Sequence, residues 1–146
     1  MKTLNSAFVW DVDETLGSFT TLDDIVTLLE NYLDRKLSKR EVYHILDIFP
    51  EILRPNIIKI LKSLKKQKQR KGVKMIIYTN NNGPNDWVNK IKGYLESKAQ
   101  TSLFDKIIRA YKINNVQIEP NRTNYEKTYE DLVSCLNVDK VKNVCF

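Results

Sequence analysis

The 146-residue chain contains few of the residues that mark several protein classes: two cysteines, one histidine, four glycines and four prolines. Two cysteines cannot form a disulfide framework, and Cys135 and Cys145 lack the spacing of a zinc site. We therefore expect free core thiols in a reducing, intracellular setting, cytoplasmic or nuclear. So little glycine and proline also excludes collagen-like and low-complexity proteins.

Long apolar runs are also absent. The longest, such as 75–78, are far shorter than the roughly 20 residues that span a bilayer. Residues 1–6 lack the apolar stretch of a secretory signal. The sequence therefore predicts no membrane partner, and its length predicts one globular domain over residues 1–146.

The chain has a net charge of +6, and one stretch of it contains no acidic residue. Residues 59–74 contain eight lysines or arginines and no acid, which leaves −2 for the rest of the chain. This run is either the solvated face of a helix or a docking patch for an anionic partner. Nucleic acid is thus a partner to consider, but it is not the favoured one.

Segments with strand-like and helix-like patterns alternate along the chain, which predicts an α/β domain with a mostly parallel sheet. A strand at 7–10 is followed by helices at 22–33 with Thr21 as cap, at 38–49 behind a Ser38–Glu41 capping box, and at 54–72. Next come a strand at 73–78, a helix near 87–95 with Asn85 as cap, and a strand or helix at 104–110. The remainder is predicted as a loop at 114–124, a helix at 125–136 and a strand at 141–146.

Two carboxylates, Asp11 and Asp13, follow the first predicted strand. In open α/β sheets ligands bind outside the carboxyl ends of the strands, so both lie where chemistry usually occurs. One carboxylate can attack phosphorus while the other donates a proton to the leaving oxygen. The alternative is a turn in which Asp and Thr side chains satisfy backbone amides.

Segment 11–16 (DVDETL) resembles motif I of the haloacid dehalogenase (HAD) superfamily. Within it, the segment is closest to the FCP/SCP-type, NLI-interacting-factor-like protein serine/threonine phosphatases, which favour Leu where Val12 stands. Leu53-Arg54-Pro55 is similar to the Arg-Pro that begins a helix before the family's second strand. Thr79, after the strand at 73–78, resembles the motif II threonine.

Lys127 resembles the motif III lysine near the start of the helix before the last core strand. Lys112 is a rival for that role, and Lys127 is alternatively a surface lysine. For Thr79 the alternative is a hydroxyl that caps a turn. The asparagines at 80–82 either add donors for a substrate or only shape the turn.

The resemblance implies a HAD-like Rossmannoid three-layer sandwich with a central, mostly parallel sheet. It implies Asp11 as the nucleophile that forms an aspartyl-phosphate and Asp13 as general acid and base. Thr79, Asn80 and Lys127 would bind phosphate, and Thr15 would steady the loop. Mg²⁺ would be held by the Asp11 side chain and the Asp13 carbonyl.

Two features depart from the family pattern. The family's motif IV acidic pair follows a strand like the one at 141–146, and the sequence ends before that position. We expect a truncated chain that binds Mg²⁺ poorly and turns over slowly. Residues 17–53 form a small helical, cap-like insert after strand 1, where FCP/SCP-type enzymes carry a short β flap.

The resemblance favours a Mg²⁺-dependent phosphomonoester hydrolase acting on a phosphoserine or phosphothreonine protein. A second hypothesis moves the substrate to a nucleic-acid end or a nucleotide. A third is a catalytically inactive HAD-like binding module. The only histidine, His44, falls in the insert, where we expect a structural role. The oligomeric state is left open.

Overall fold

The computed structural model describes residues 1–84 and 86–146, and it is an α/β structure. Its elements are β1 (Thr3–Trp10), α1 (Phe19–Leu33), α2 (Lys39–Ile48), a 3₁₀ turn (Pro50–Ile52), α3 (Ile57–Lys71), β2 (Lys74–Tyr78), α4 (Trp87–Ala99), β3 (Lys106–Ile108), β4 (Lys112–Ile113), β5 (Val116–Gln117), α5 (Tyr129–Leu136) and β6 (Lys140–Cys145).

Four strands form a central parallel sheet in the order β3-β2-β1-β6. The register pairs Trp10 with Ile77, so β1 and β2 end side by side. On the other side of β1, Phe8 pairs with Cys145. All four strands therefore present their carboxyl ends at one edge, which we call the carboxyl edge.

Helices cover both faces of this sheet because side chains alternate along each strand. Met75 and Ile77 of β2 belong to a buried cluster that includes residues of α1 to α4. Ile76 and Tyr78 belong to a second cluster, which includes residues of α5. The parallel sheet flanked by helices agrees with the predicted class and is compatible with a Rossmann-like fold.

The insert at 17–53 consists of α1, α2 and the 3₁₀ turn, as the helical periodicity predicts. The predicted capping box is present: the Ser38 hydroxyl accepts from the Glu41 N–H at 3.3 Å, and the Glu41 carboxylate accepts from the Ser38 N–H at 2.8 Å. Leu22 and Leu46 of the insert lie in the same buried cluster as β2. The insert therefore packs on the core of the sheet.

Some predicted helix ends are wrong. Helix α1 begins at Phe19 with Ser18 at the cap position, so Thr21 lies in the first turn and its hydroxyl contacts the Ser18 hydroxyl at 3.0 Å. Helix α5 begins at Tyr129, not at 125. The Thr128 hydroxyl accepts from the Asp131 N–H at 3.2 Å and fixes this start. The expected cap at Asn85 lies outside the described residues.

The segments around β3 also differ in detail. Within 104–110 only Lys106–Ile108 is a strand, and no helix forms there. The segment at 114–124 is not all loop, because Val116–Gln117 pairs with Lys112–Ile113 in a short hairpin. Asn114 and Asn115 at its tip both have positive φ, a conformation that asparagine adopts more readily than most residues.

The basic run at 59–74 lies mostly on α3, whose buried face includes Ile57 and Leu61. Most of its cations face solvent. Lys68 is an exception: it forms an ion pair with Asp105 at 2.9 Å. Exposure of these lysines and arginines fits both a solvated helix face and a docking patch, so both interpretations stay predictions.

The cysteines are free, but only Cys135 is a core thiol. Burial raises its pKa to about 11. The expectation of a core position is wrong for Cys145, which is exposed at the end of the edge strand β6. In the described parts of the chain, no helix has the length and apolarity needed to cross a bilayer.

Candidate active site

The chain turns sharply directly after β1, in the loop that contains both aspartates. Glu14 adopts a left-handed backbone with φ 59°, and its N–H donates to the Gly17 carbonyl at 2.9 Å. The Leu16 N–H returns to the Val12 carbonyl at 3.0 Å. A Cβ on Gly17 would lie 2.7 Å from the Ile52 carbonyl oxygen, so the close approach of the 3₁₀ turn requires glycine here.

Arg54 holds this loop from the other end of the insert. Its Nε donates to the Thr15 carbonyl at 3.3 Å, its guanidinium also donates to the Glu14 carbonyl, and its N–H donates to the Leu16 carbonyl at 3.0 Å. The sequence indicated only that Arg54 precedes a helix. Its hold on the aspartate loop depends on the tertiary structure.

Asp11 and Lys127 meet at the carboxyl edge. The Lys127 Nζ lies 2.6 Å from Asp11 Oδ2, and the two side chains are 23% and 41% exposed. The other Asp11 oxygen accepts from the Val12 N–H at 2.8 Å. The rival, Lys112, lies on β4 with its Nζ 4.8 Å from the centre of the Tyr111 ring. The fold thus brings Lys127 to Asp11 from the loop before α5.

Asp13 is tied to the loop after β2 by Asn81, one of the three asparagines to which the sequence assigned no definite role. The Asn81 side-chain amide donates to Asp13 Oδ2 at 2.9 Å, and its backbone N–H donates to the Thr79 hydroxyl oxygen at 3.0 Å. Thr79 is 1% exposed, and within residues 1–84 and 86–146 its hydroxyl accepts this bond but donates none, although a hydroxyl can do both. The run of three asparagines was the sequence signal at this position.

Asn80 connects two loops of the site. Its amide nitrogen donates to the Tyr125 carbonyl at 2.9 Å, and its amide oxygen accepts from Arg122 at 2.7 Å. Its second amide hydrogen has no acceptor within residues 1–84 and 86–146. Sequence reasoning missed Arg122, since a single arginine in a polar loop carries no recognisable signal.

An apolar cavity of about 450 Å³ opens beside Asp11 and Lys127. Phe8, Trp10 and Leu64 are among its walls, and Thr15 lines it near Asp11. The Thr15 hydroxyl makes no hydrogen bond to the described residues, whereas the Thr15 carbonyl binds Arg54. Loop stabilisation therefore comes from the backbone of Thr15.

The atoms near Asp11 and Asp13 that could bind a metal are oxygens. Within residues 1–84 and 86–146, no group of three or more histidine, cysteine or acidic side chains is placed to hold a metal. Mg²⁺ does not need such a cage, because it is commonly bound by one or two carboxylates together with phosphate oxygens and water. The Asp11 carboxylate and the Asp13 carbonyl are donors of this kind, so the residues present fit a Mg²⁺ completed by substrate and water.

His44 lies apart from this constellation. It is exposed on α2 and lines a surface depression together with Arg40, Tyr43 and Asp47. None of these residues lines the cavity beside Asp11 and Lys127. The structural role expected for His44 stays a prediction.

Comparison of the chain with models of known protein families, with curated proteins and with solved structures finds no match. The geometry at the carboxyl edge and the motif I resemblance are therefore the support for a function.

Proposed function

We propose that this chain is a HAD-type phosphomonoester hydrolase with Asp11 as nucleophile and Asp13 as general acid and base. The observation that carries the proposal is the 2.6 Å pair of Asp11 and Lys127 at the carboxyl edge of the sheet. A phosphate dianion approaching a carboxylate is repelled, and an ammonium group beside that carboxylate reduces the repulsion. In this proposal, the Lys127 ammonium has that role.

The chemistry follows in two steps. In the first, an Asp11 oxygen attacks phosphorus, the bond to the leaving oxygen breaks, and Asp13 gives that oxygen its proton. In the second, Asp13 takes a proton from water, and the water oxygen attacks the aspartyl-phosphate. Phosphate leaves and the Asp11 carboxylate is restored. Asn81 orients Asp13 in both steps through its 2.9 Å hydrogen bond.

Three groups would hold the phosphate oxygens: the Lys127 ammonium, the Thr79 hydroxyl and the free amide hydrogen of Asn80. Mg²⁺, bound by the Asp11 carboxylate and the Asp13 carbonyl, would neutralise phosphate charge during the transfer. The HAD resemblance supports a phosphoserine or phosphothreonine protein as the substrate. The helical insert at 17–53, whose 3₁₀ turn touches the aspartate loop, would shape access.

The test is hydrolysis of para-nitrophenyl phosphate with and without Mg²⁺. We expect Asp11→Asn to remove turnover and Asp13→Asn to slow it by about 100-fold or more, within the range of general acid–base catalysis. Asp24→Asn, which removes an exposed carboxylate on α1, is the matched control. An Asp11→Asn variant as fast as wild type would overturn the proposal.

A second experiment tests the substrate class. It compares the rates of hydrolysis of a phosphoserine peptide and of an oligonucleotide with a terminal phosphate. Preference for the oligonucleotide that falls steeply with added salt would favour the nucleic-acid alternative, because phosphate-backbone contacts are salt-dependent. Binding of inorganic phosphate without any turnover would favour the inactive binding module.

A further inference from the structure

Arg122 is unusual because it is a charged side chain in the interior. It is 1% exposed, and it is the largest of the fully buried side chains among the described residues. It lies in the loop between β5 and α5. A buried guanidinium is costly unless its N–H groups are hydrogen-bonded, so its environment must satisfy those donors.

The two terminal nitrogens, Nη1 and Nη2, meet this requirement with uncharged oxygens, whereas the buried Nε has no acceptor among the described residues. Nη1 donates to the Arg109 carbonyl at 2.9 Å, the Asn80 side-chain oxygen at 2.7 Å and the Thr79 carbonyl at 3.4 Å, and Nη2 donates to the Tyr125 carbonyl at 3.0 Å and the Glu126 carbonyl at 3.2 Å. Four of these five acceptors are backbone carbonyls.

These acceptors belong to three separate loops. Thr79 and Asn80 follow β2, Arg109 follows β3, and Tyr125 and Glu126 come directly before Lys127. Arg122 therefore joins the loop that contains Thr79 to the loop that contains Lys127. The Asn80 side chain reinforces the link by donating to the Tyr125 carbonyl.

The charge of Arg122 is not cancelled by a direct ion pair. None of the ion pairs in the described part of the chain involves it. The guanidinium carbon lies 4.8 Å from the centre of the Tyr78 ring, in a cation–π contact. Burial raises the pKa of Tyr78 to about 12, so the phenol stays neutral and adds no negative charge.

We propose that Arg122 is a positioning residue for the phosphate site, which sets the distance of Lys127 from Thr79 and Asn80; this rests on the proposed function. Only arginine carries a rigid planar fork of five N–H donors, so lysine cannot reach the three loops at once. An error of about 1 Å in the position of a reacting group lowers rates by roughly 100-fold.

The first experiment measures structure alone. Amide hydrogen exchange is followed in segments 79–84 and 123–128 of the wild-type chain as denaturant is raised. If Arg122 joins these loops, both segments open in the same step, with the same dependence on denaturant. Opening in clearly separate steps would overturn the proposal, and this result needs no variant to fold.

The second experiment compares Arg122→Lys and Arg122→Gln with the same substitutions at Arg35. Arg35 is a matched control because it is half-exposed and forms a two-pronged pair with Glu41 in the insert. Circular dichroism shows which variants are folded at the assay temperature. In folded Arg122 variants we expect exchange to quicken in both segments, with the remaining protected amides unchanged.

Measurements of enzymatic activity then distinguish a positioning role of Arg122 from a role in folding alone. In folded Arg122→Lys we expect kcat/KM for para-nitrophenyl phosphate to fall about 10- to 100-fold. Competitive inhibition by inorganic phosphate should weaken in parallel, and both Arg35 variants should match wild type. A folded Arg122→Lys with wild-type kinetics and phosphate affinity would overturn the proposal. An inactive wild type would count against the proposed function only, because the exchange experiment still decides the role of Arg122.

Discussion

Asp105 joins one helix and two strands, and the change in stability on its removal can be worked out in advance. Its carboxylate accepts from the Met75 N–H at 2.8 Å and contacts the ammonium groups of Lys68 at 2.9 Å and Lys74 at 3.3 Å. It thereby connects the end of α3, the start of β2 and the approach to β3. We choose Asp105→Asn because asparagine keeps an oxygen for the Met75 N–H.

The expected loss of stability depends on how far the charged side chains are exposed to solvent. The side chains of Asp105 and Lys68 are 21% and 25% exposed, whereas Lys74 is 49% exposed and contributes little. A hydrogen bond to a charged group contributes about 1.5–3 kcal/mol when it is well shielded. Discounting for partial solvent screening, we expect Asp105→Asn to lower the free energy of unfolding by about 1–2 kcal/mol at pH 7.

The dependence on pH follows from the pKa of the carboxyl. Burial by itself raises the pKa of Asp105, but the hydrogen bonds from Met75 and Lys68 outweigh it, so the pKa lies below its ordinary value. The unfolded chain therefore binds the proton more readily than the folded one. The stabilisation is present above the unfolded pKa of about 3.9 and is lost as pH falls through the lower folded value.

Urea unfolding followed by circular dichroism, at pH 7 and in steps below pH 4, measures this difference. Wild type and Asp105→Asn should converge as pH falls. Asp86→Asn is the control, because Asp86 is 62% exposed in its pair with Lys90 and should cost at most about 0.5 kcal/mol. A difference that is absent at pH 7, or unchanged well below pH 4, would refute this account of Asp105.

Three further predictions concern the site and its supports. Lys127→Met should weaken inhibition by inorganic phosphate about 10-fold or more in a phosphatase assay, because one charged hydrogen bond is lost; unchanged inhibition would exclude Lys127 from the phosphate site. Gly93→Ala should destabilise the chain by about 1 kcal/mol in thermal or urea unfolding, since the new Cβ would lie 2.3 Å from the buried Tyr43 hydroxyl, and Tyr43→Phe in the same chain should restore stability. Thr128→Ala should cost about 1 kcal/mol in urea unfolding by removing the cap on the Asp131 N–H, and a loss near zero would show that the packing of α5, not the cap, fixes its start.

Much of the framework could be predicted from the sequence because it depends on local patterns. Apolar runs followed by polar residues mark β1 and β2, and helical spacing marks α1 to α4. The predictions were wrong where contacts between residues that the sequence pattern does not connect determine the structure. The start of α5 depends on the Thr128 side chain reaching Asp131, and the exposure of Cys145 depends on β6 lying at the edge of the sheet.

The site divides in the same way. Segment 11–16 by itself predicts two carboxylates at the end of a strand, because their order and spacing are written in consecutive residues. The choice of Lys127 over Lys112 as the neighbour of Asp11 is a tertiary result, since it depends on where the loop before α5 crosses the sheet. The roles of Arg54, Asn81 and Arg122 are tertiary for the same reason: each binds groups that the sequence places far away, and only the folded chain brings their donors and acceptors within reach.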